Sequence, residues 1–251
     1  MSSNTTILIT GANRGIGRAI TKLYLSRPNT TLIAGVRDPT NTTTTASLST
    51  LPLGQGSKLV IVKIESSSET DAKTAISTLP QHGITHLDLV IANAGIGHYW
   101  AKARDVDIEE LKQHYLINSI APLVLFQAAL PLLKASKSPK FVTISSALGS
   151  IAAMENIPLP SAVYGSSKAA LNFTTRKIHQ EEGDWGLVAF SVHPGWLKTE
   201  LGNAGAAAAG LQEAPETLEV VIPQLVSLFD TATREKSSGH FLTYNGTDFQ
   251  W

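Results

Sequence analysis

The chain has 251 residues, enough for one large α/β domain without requiring two. Twenty basic residues balance twenty acidic ones with no basic run, so charge makes no case for nucleic acid or an anionic membrane as partner. The absence of cysteine excludes a disulfide framework, a thiolate metal site and a cysteine nucleophile.

The N-terminal MSSNTTILITG lacks the basic start and long apolar core of a signal peptide, so a cytoplasmic location is expected. Five N-x-S/T triplets, at Asn4, Asn29, Asn41, Asn172 and Asn245, are then read as accidents of a Thr-rich chain. TTILIT reads as a first strand, followed by a helix from about Gly15 to Ser26. TLIAGV is the second strand, before a Thr-rich stretch around Thr40 to Thr50. KLVIVKI precedes a helix from about Glu69 to Leu79, and LDLVIANAG precedes two helical segments over roughly Ile108 to Lys134. Within these, LINSIAPLVLFQAALPLL is interrupted by Asn118, Ser119, Pro122, Gln127 and Pro131, which suits a buried helix better than a membrane span. KFVTIS leads into a long loop and a helix containing SAVYGSSKAALNF; GLVAFSVHPG and GHFLTY complete seven strands.

Continuous apolar strands alternating with helices predict a parallel sheet covered on both faces. The expected fold is α/β, a Rossmann-type doubly wound, seven-stranded parallel sheet in a single domain spanning 1–251. Two segments break the rhythm after strands, about 147–163 and 196–214. Ligands bind beyond the carboxyl ends of such strands, so both are candidate substrate loops. The Ala/Gly-rich part of the second reads equally as a short helix or a loose tip.

ILITGANRGIG places Gly11, Gly15 and Gly17 between the first strand and the first helix. Glycines there permit a tight turn, approach of backbone to a pyrophosphate, and close helix packing. The spacing in this setting points to a dinucleotide. Arg37 stands at the end of the second strand and Arg14 in the glycine turn. Two guanidiniums converging on a phosphate favour NADP (NADPH) over NAD. Asp38 is the competing feature: a strand one residue longer would shift preference toward NAD.

Tyr164 and Lys168 lie four residues apart, hence on one helix face. The plain reading is an aromatic ring with a lysine stem along it. The chemical reading is an acid loosened by a fixed cation. His82 and His86 have the i, i+4 spacing of a metal pair, but with Gly83 between them and no acid close by they read as a surface turn. No metal is expected. His98, Tyr99 and Trp100 follow the fourth strand and read equally as pocket wall or rim packing. Trp196, after HPG, is a candidate pocket aromatic, and His193 is read as structural.

Taken together, these motifs resemble the short-chain dehydrogenase/reductase family over essentially the whole chain. TGANRGIG is similar to its cofactor turn, ANAG to its N-N-A-G motif with Ala92 for the first Asn, and INS supplies its helix asparagine. ISSALG supplies the serine, YGSSK the Tyr-x-x-x-Lys pair, and HPGWLKT the P-G-x-x-x-T segment. Softer cues, among them GITHLDLVIANAGI and the terminal FQW, resemble fungal norsolorinic acid ketoreductases and sniffer-type carbonyl reductases.

The resemblance implies NADPH-dependent reduction of a ketone, with Tyr164 protonating the carbonyl oxygen. Lys168 would lower the tyrosine pKa and hold the nicotinamide ribose. Ser146, preferred to Ser145 because SALG follows the family pattern, would bind the substrate oxygen. Asn118 would anchor a water in a proton relay. The cofactor would lie on Gly11, Asn13, Arg14, Gly15, Ile16 and Gly17, on Arg37, and on Asn93, Ala94 and Gly95. It would continue along Ile144, Tyr164 and Lys168 to Pro194, Gly195 and Thr199. His98, Tyr99 and Trp196 are the pocket candidates. Ser146 and Tyr164 are 18 positions apart, more than the family's usual dozen, which implies an outward loop and an enlarged pocket. A bulky aromatic or polyketide-like ketone and a homodimer or homotetramer are the expected partners. Glu65 stands where the family commonly has an adenine-contacting Asp. The competing class is a non-catalytic dinucleotide sensor, which would be free to lose the Tyr, Lys, Ser or Asn retained here.

Overall fold

A computed structural model describes residues 4–157 and 159–251. Seven strands form one parallel sheet: β1 Thr5–Thr10, β2 Thr30–Val36, β3 Lys58–Lys63, β4 Leu89–Ala92, β5 Lys140–Ile144, β6 Val188–His193 and β7 Phe241–Thr243. Their spatial order is β3-β2-β1-β4-β5-β6-β7, so the winding reverses between β1 and β4. In such sheets the crevice at the reversal, outside the carboxyl ends, is where ligands bind.

Alternation along the strands separates two cores. Ile7, Ile9, Leu32, Val142 and Val192 face one side, where they meet helices α1 (Gly15–Leu25), α2 (Thr42–Ser49) and, later in the chain, α8 (Leu218–Thr231). Leu8, Ile33, Val90, Phe141 and Ala189 face the other, against α3 (Asp71–Thr78), α5 (Ala121–Lys134) and α6 (Ala162–Glu181). A strand buried on both faces has no use for polar alternation, and all seven β2 residues are buried.

The Thr40–Thr50 stretch contains α2, and the Ala/Gly-rich segment forms helix α7, Glu200–Ala208. Helix α8 is absent from the sequence expectation. It carries Pro223 in its first two turns, where the missing N–H costs one hydrogen bond. Burial of Val221, Leu225 and Phe229 against the sheet outweighs that loss.

The run Ile108–Lys134 is continuous helix, and by length and composition alone it could cross a membrane. Its buried side chains Leu125, Phe126, Ala129 and Leu133 instead pack on Phe141 and the sheet, as expected of a core helix. Helix α4, Ile108–Tyr115, begins at Asp107, whose carboxylate accepts from the Glu109 and Glu110 amides. Between α4 and α5, residues Leu116–Ile120 widen into a π-helical turn. Such turns cluster at functional sites, and this one contains Asn118.

Candidate active site

A cleft of about 840 Å³ opens along the carboxyl ends of β1, β4, β5 and β6. That is the size of a ligand pocket. At one end the glycine turn enters α1, with Gly11 and Gly15 at φ of +64° and +51°. A Cβ on Gly17 would lie 2.3 Å from the Gly11 carbonyl oxygen, so this glycine serves helix packing and does not line the cleft. Asn93 ties β4 to the turn: its Nδ2 donates to Thr10 O at 2.9 Å and to Gly11 O at 3.3 Å. The hydroxyl of Thr10 accepts from the amides of Asn93 and Ala94.

β2 ends at Val36, so Arg37 is the first residue beyond it and lines the cleft. Asp38 is turned to Thr40, accepting from its amide at 2.8 Å and from its hydroxyl at 2.6 Å. Those bonds hold its carboxyl below the usual range. Arg37 Nε pairs with Glu65 at 3.0 Å, and Arg14 Nη1 with Glu200 at 2.6 Å. Both arginines are largely exposed. Exposed pairs are worth about 0–1 kcal/mol, so a phosphate can recruit these guanidiniums at little cost.

Deeper in the cleft, α6 carries Tyr164 and Lys168, which are 6% and 4% exposed. Lys168 Nζ donates to Ile144 O at 2.8 Å and lies 5.8 Å from the Tyr164 ring centre. Burial lowers the lysine pKa to about 8. Burial also pushes the Tyr164 hydroxyl up to about 12, against a smaller opposing effect from its hydrogen bond with Ser146. At Tyr164 desolvation of the phenolate outweighs the effect of the Ser146 hydroxyl.

Ser146 begins the short turn Ala147–Gly149, its Oγ accepting from Leu148 N at 3.2 Å. Ser145 Oγ is buried with no hydrogen-bond partner among the described residues. Of the two serines, Ser146 is the one whose hydroxyl opposes the rise in the Tyr164 pKa. Asn118 Oδ1 accepts from Ile96 N at 2.9 Å, while its Nδ2 donates to Ile96 O at 2.9 Å and Ser167 Oγ at 3.0 Å. It stands behind the cleft wall, fixing the segment after β4 against α6.

Asn13, Arg14, Gly15, Ile16, Ala94, Gly95, Ile144, Pro194, Gly195 and Thr199 all reach the cleft, as do Gly11, Arg37 and Asn93. His98 and Trp196 line it too. Tyr99 does not: its hydroxyl donates to Asp105 O and accepts from Asp107 N, outside the cleft. Trp100 takes that place, its ring 5.7 Å from the Tyr164 ring. The three consecutive aromatics follow a strand end in irregular backbone, where no periodicity says which points inward. His193 is more than a strand terminus: its Nδ1 accepts from Ala147 N at 3.1 Å, bracing the turn that carries Ser146. Burial lowers its pKa to about 4, so that imidazole is neutral.

Residues 5–209 match the family model described as short chain dehydrogenase. The chain belongs to that family. The short-chain dehydrogenase is 39% identical over 251 residues to norsolorinic acid ketoreductase of Aspergillus parasiticus, covering 98% of this chain and 91% of the relative. Among solved structures, NADPH-bound carbonyl reductase from chicken fatty liver superposes with a TM-score of 0.84 at 28% identity, covering 99% of this chain and 100% of that one. Carbonyl reductase Sniffer of D. melanogaster gives 0.85 at 26% identity, again over 99% and 100%.

Proposed function

We propose that this short-chain dehydrogenase is an NADPH-dependent ketoreductase acting on a bulky aromatic or polyketide-like ketone. Its family membership and its ketoreductase and carbonyl reductase relatives make it an oxidoreductase at C=O and CH–OH groups. The observation carrying the finer reading is that Tyr164 and Ser146 face one cleft, with Lys168 buried beside Tyr164, between two unlike arms of that cleft. One arm offers a glycine turn and two recruitable arginines. The other is apolar and aromatic, lined by Trp100, Leu148, Ile157, Leu159, Trp196 and Leu201.

The residues fit a phosphorylated dinucleotide. Gly11 and Gly15 leave backbone open to a pyrophosphate at the N-terminus of α1. Arg14 and Arg37 would hold a 2′-phosphate, and Asn93, Ile144, Lys168 and Thr199 would hold the nicotinamide half. When bound, NADPH supplies the hydride to the carbonyl carbon.

The carbonyl oxygen would sit against the Ser146 and Tyr164 hydroxyls. Ser146 donates a hydrogen bond to the oxygen as negative charge develops. Tyr164, protonated at neutral pH, gives up its proton to that oxygen. Lys168, held by Ile144 O, stabilises the phenolate left behind. Asn118 orders the wall behind the pair and would lead a returning proton toward Lys168. The reading includes a homodimer or homotetramer and a cytoplasmic location, checked by light scattering and cell fractionation.

The test is absorbance-monitored oxidation of NADPH, and separately NADH, with aryl ketones and hydroxyanthraquinone-type ketones. Turnover with NADPH that disappears in Tyr164→Phe supports the reading. Tight NADPH binding with no turnover on any of these ketones overturns it.

A further inference from the structure

Three side chains not used in the proposed reduction converge beside the cleft, which His98 lines. His98 lies beyond β4; Glu110 and His114 are one turn apart on α4 and share a face. His98 Nε2 is 3.1 Å from Glu110 Oε2, and that oxygen is 3.7 Å from His114 Nδ1. One donor atom from each of the three lies within 4.8 Å of the others. A tetrahedral ion with nitrogen and oxygen ligands at about 2.0–2.1 Å holds those ligands roughly 3.3–3.4 Å apart. The His98–Glu110 edge of such a site is thus already near its bound length. The His98 and His114 rings lie with their centres 5.0 Å apart, and the His98 side chain is 54% exposed.

The protonation pattern suits metal as well. His114 Nδ1 lies 2.8 Å from Glu110 O. A carbonyl only accepts, so Nδ1 carries the hydrogen and Nε2 presents a lone pair. That Nε2 is buried and has no hydrogen-bond partner among the described residues. Buried polar atoms are normally paired, so an unpaired one calls for a ligand. Coordination through Nε2, with the His98 ring turned toward it, would keep the Nδ1–Glu110 O bond. Metal-bound imidazoles commonly have this kind of backbone support.

We propose that His98, Glu110 and His114 form a binding site for a divalent transition ion, Zn²⁺ by donor type, at the rim of the substrate cleft. Two imidazoles and one carboxylate suit zinc, whereas magnesium and calcium take oxygen ligands. Three protein ligands leave a fourth position for water or a ligand oxygen. The site stands independently of the reductase reading.

The experiment uses untagged, chelator-treated full chain. Co²⁺ is titrated in while visible d–d absorption is recorded, and Zn²⁺ is titrated calorimetrically. The expected result is one equivalent bound, intense tetrahedral-type cobalt bands, and affinity at least about tenfold weaker in both His98→Ala and Glu110→Gln. Both substituted side chains reach solvent, so these variants test the site without emptying the core; circular dichroism confirms their fold. The proposal is overturned if the wild-type chain shows no saturable equimolar binding below about 100 µM. Unchanged affinity in either variant also overturns it.

Discussion

Lys168 Nζ is tied to Ile144 O at 2.8 Å, so the ammonium on α6 is anchored to the end of the strand that leads into Ser146. A buried cation with one carbonyl partner is held at the edge of its charged range, and its pKa of about 8 follows from desolvation. Since the proposed mechanism needs the charged lysine, kcat/KM for ketone reduction should fall as pH rises through about 8. Stability moves the opposite way. The folded chain binds that proton less tightly than the unfolded chain, so between about 8 and the ordinary lysine value of 10.5 this group's contribution rises with pH. A kcat/KM profile flat to pH 10 would remove Lys168 from the ionisations that control the reaction.

The two serines separate by partner. Ser146→Ala removes the cleft hydroxyl that acts on Tyr164 and should lower kcat by about 10²-fold or more, the scale of a lost oxyanion donor. Ser145→Ala deletes a buried oxygen that has no hydrogen-bond partner among the described residues, so it should leave thermal stability unchanged or higher. Its turnover should stay within a few-fold of wild type. A reversed pattern in the two kcat values would transfer the role to Ser145.

Arg37 distinguishes the cofactors. Losing a charge-assisted bond of about 1.5–3 kcal/mol should raise KM for NADPH roughly 10- to 100-fold in Arg37→Ala, with KM for NADH nearly unchanged. The wild-type preference for NADPH should shrink with added salt, because the guanidinium is 70% exposed. Equal loss with both cofactors would mean that Arg37 acts on the fold instead of the 2′-phosphate.

His193 makes a further pH prediction. Its folded pKa of about 4 lies below the ordinary 6.5, so the unfolded chain takes up a proton first as pH falls. Stability from this group is complete above 6.5 and is lost between 6.5 and about 4, at most about 3 kcal/mol. His193→Gln should flatten the melting temperature across that window. Because Nδ1 braces Ala147 N, the variant should also lower kcat more than it raises KM. An acid limb as steep as that of wild type would assign the loss of stability to other groups.

Much of the site is legible because its parts are local. A glycine spacing, a tyrosine and lysine one turn apart, and an arginine just past a strand are each read within a few neighbouring residues, and Gly11, Gly15, Tyr164, Lys168 and Arg37 reach the cleft. What failed to show depended on partners far along the chain. His193 reads as structural at a strand end, and it is, but its partner Ala147, 46 positions away, is invisible to any local pattern. Tyr99 and Trp100 are chemically alike neighbours; only the turn at Asp105 and Asp107, which takes the Tyr99 hydroxyl, turns the tyrosine away. Helix α8 hides behind Pro223, and burial against the sheet decides it.

The sequence by itself determined the layered α/β class, the parallel sheet and the candidate chemistry, because apolar periodicity and turn residues act over short distances. Tertiary structure alone decided the balance of protonation at Tyr164 and Lys168. Their pKa values depend on how completely the fold excludes water from around them, and a linear pattern carries no measure of that. The same holds for the joining of His98 to Glu110 and His114, since the path of the chain after β4 sets which charges meet.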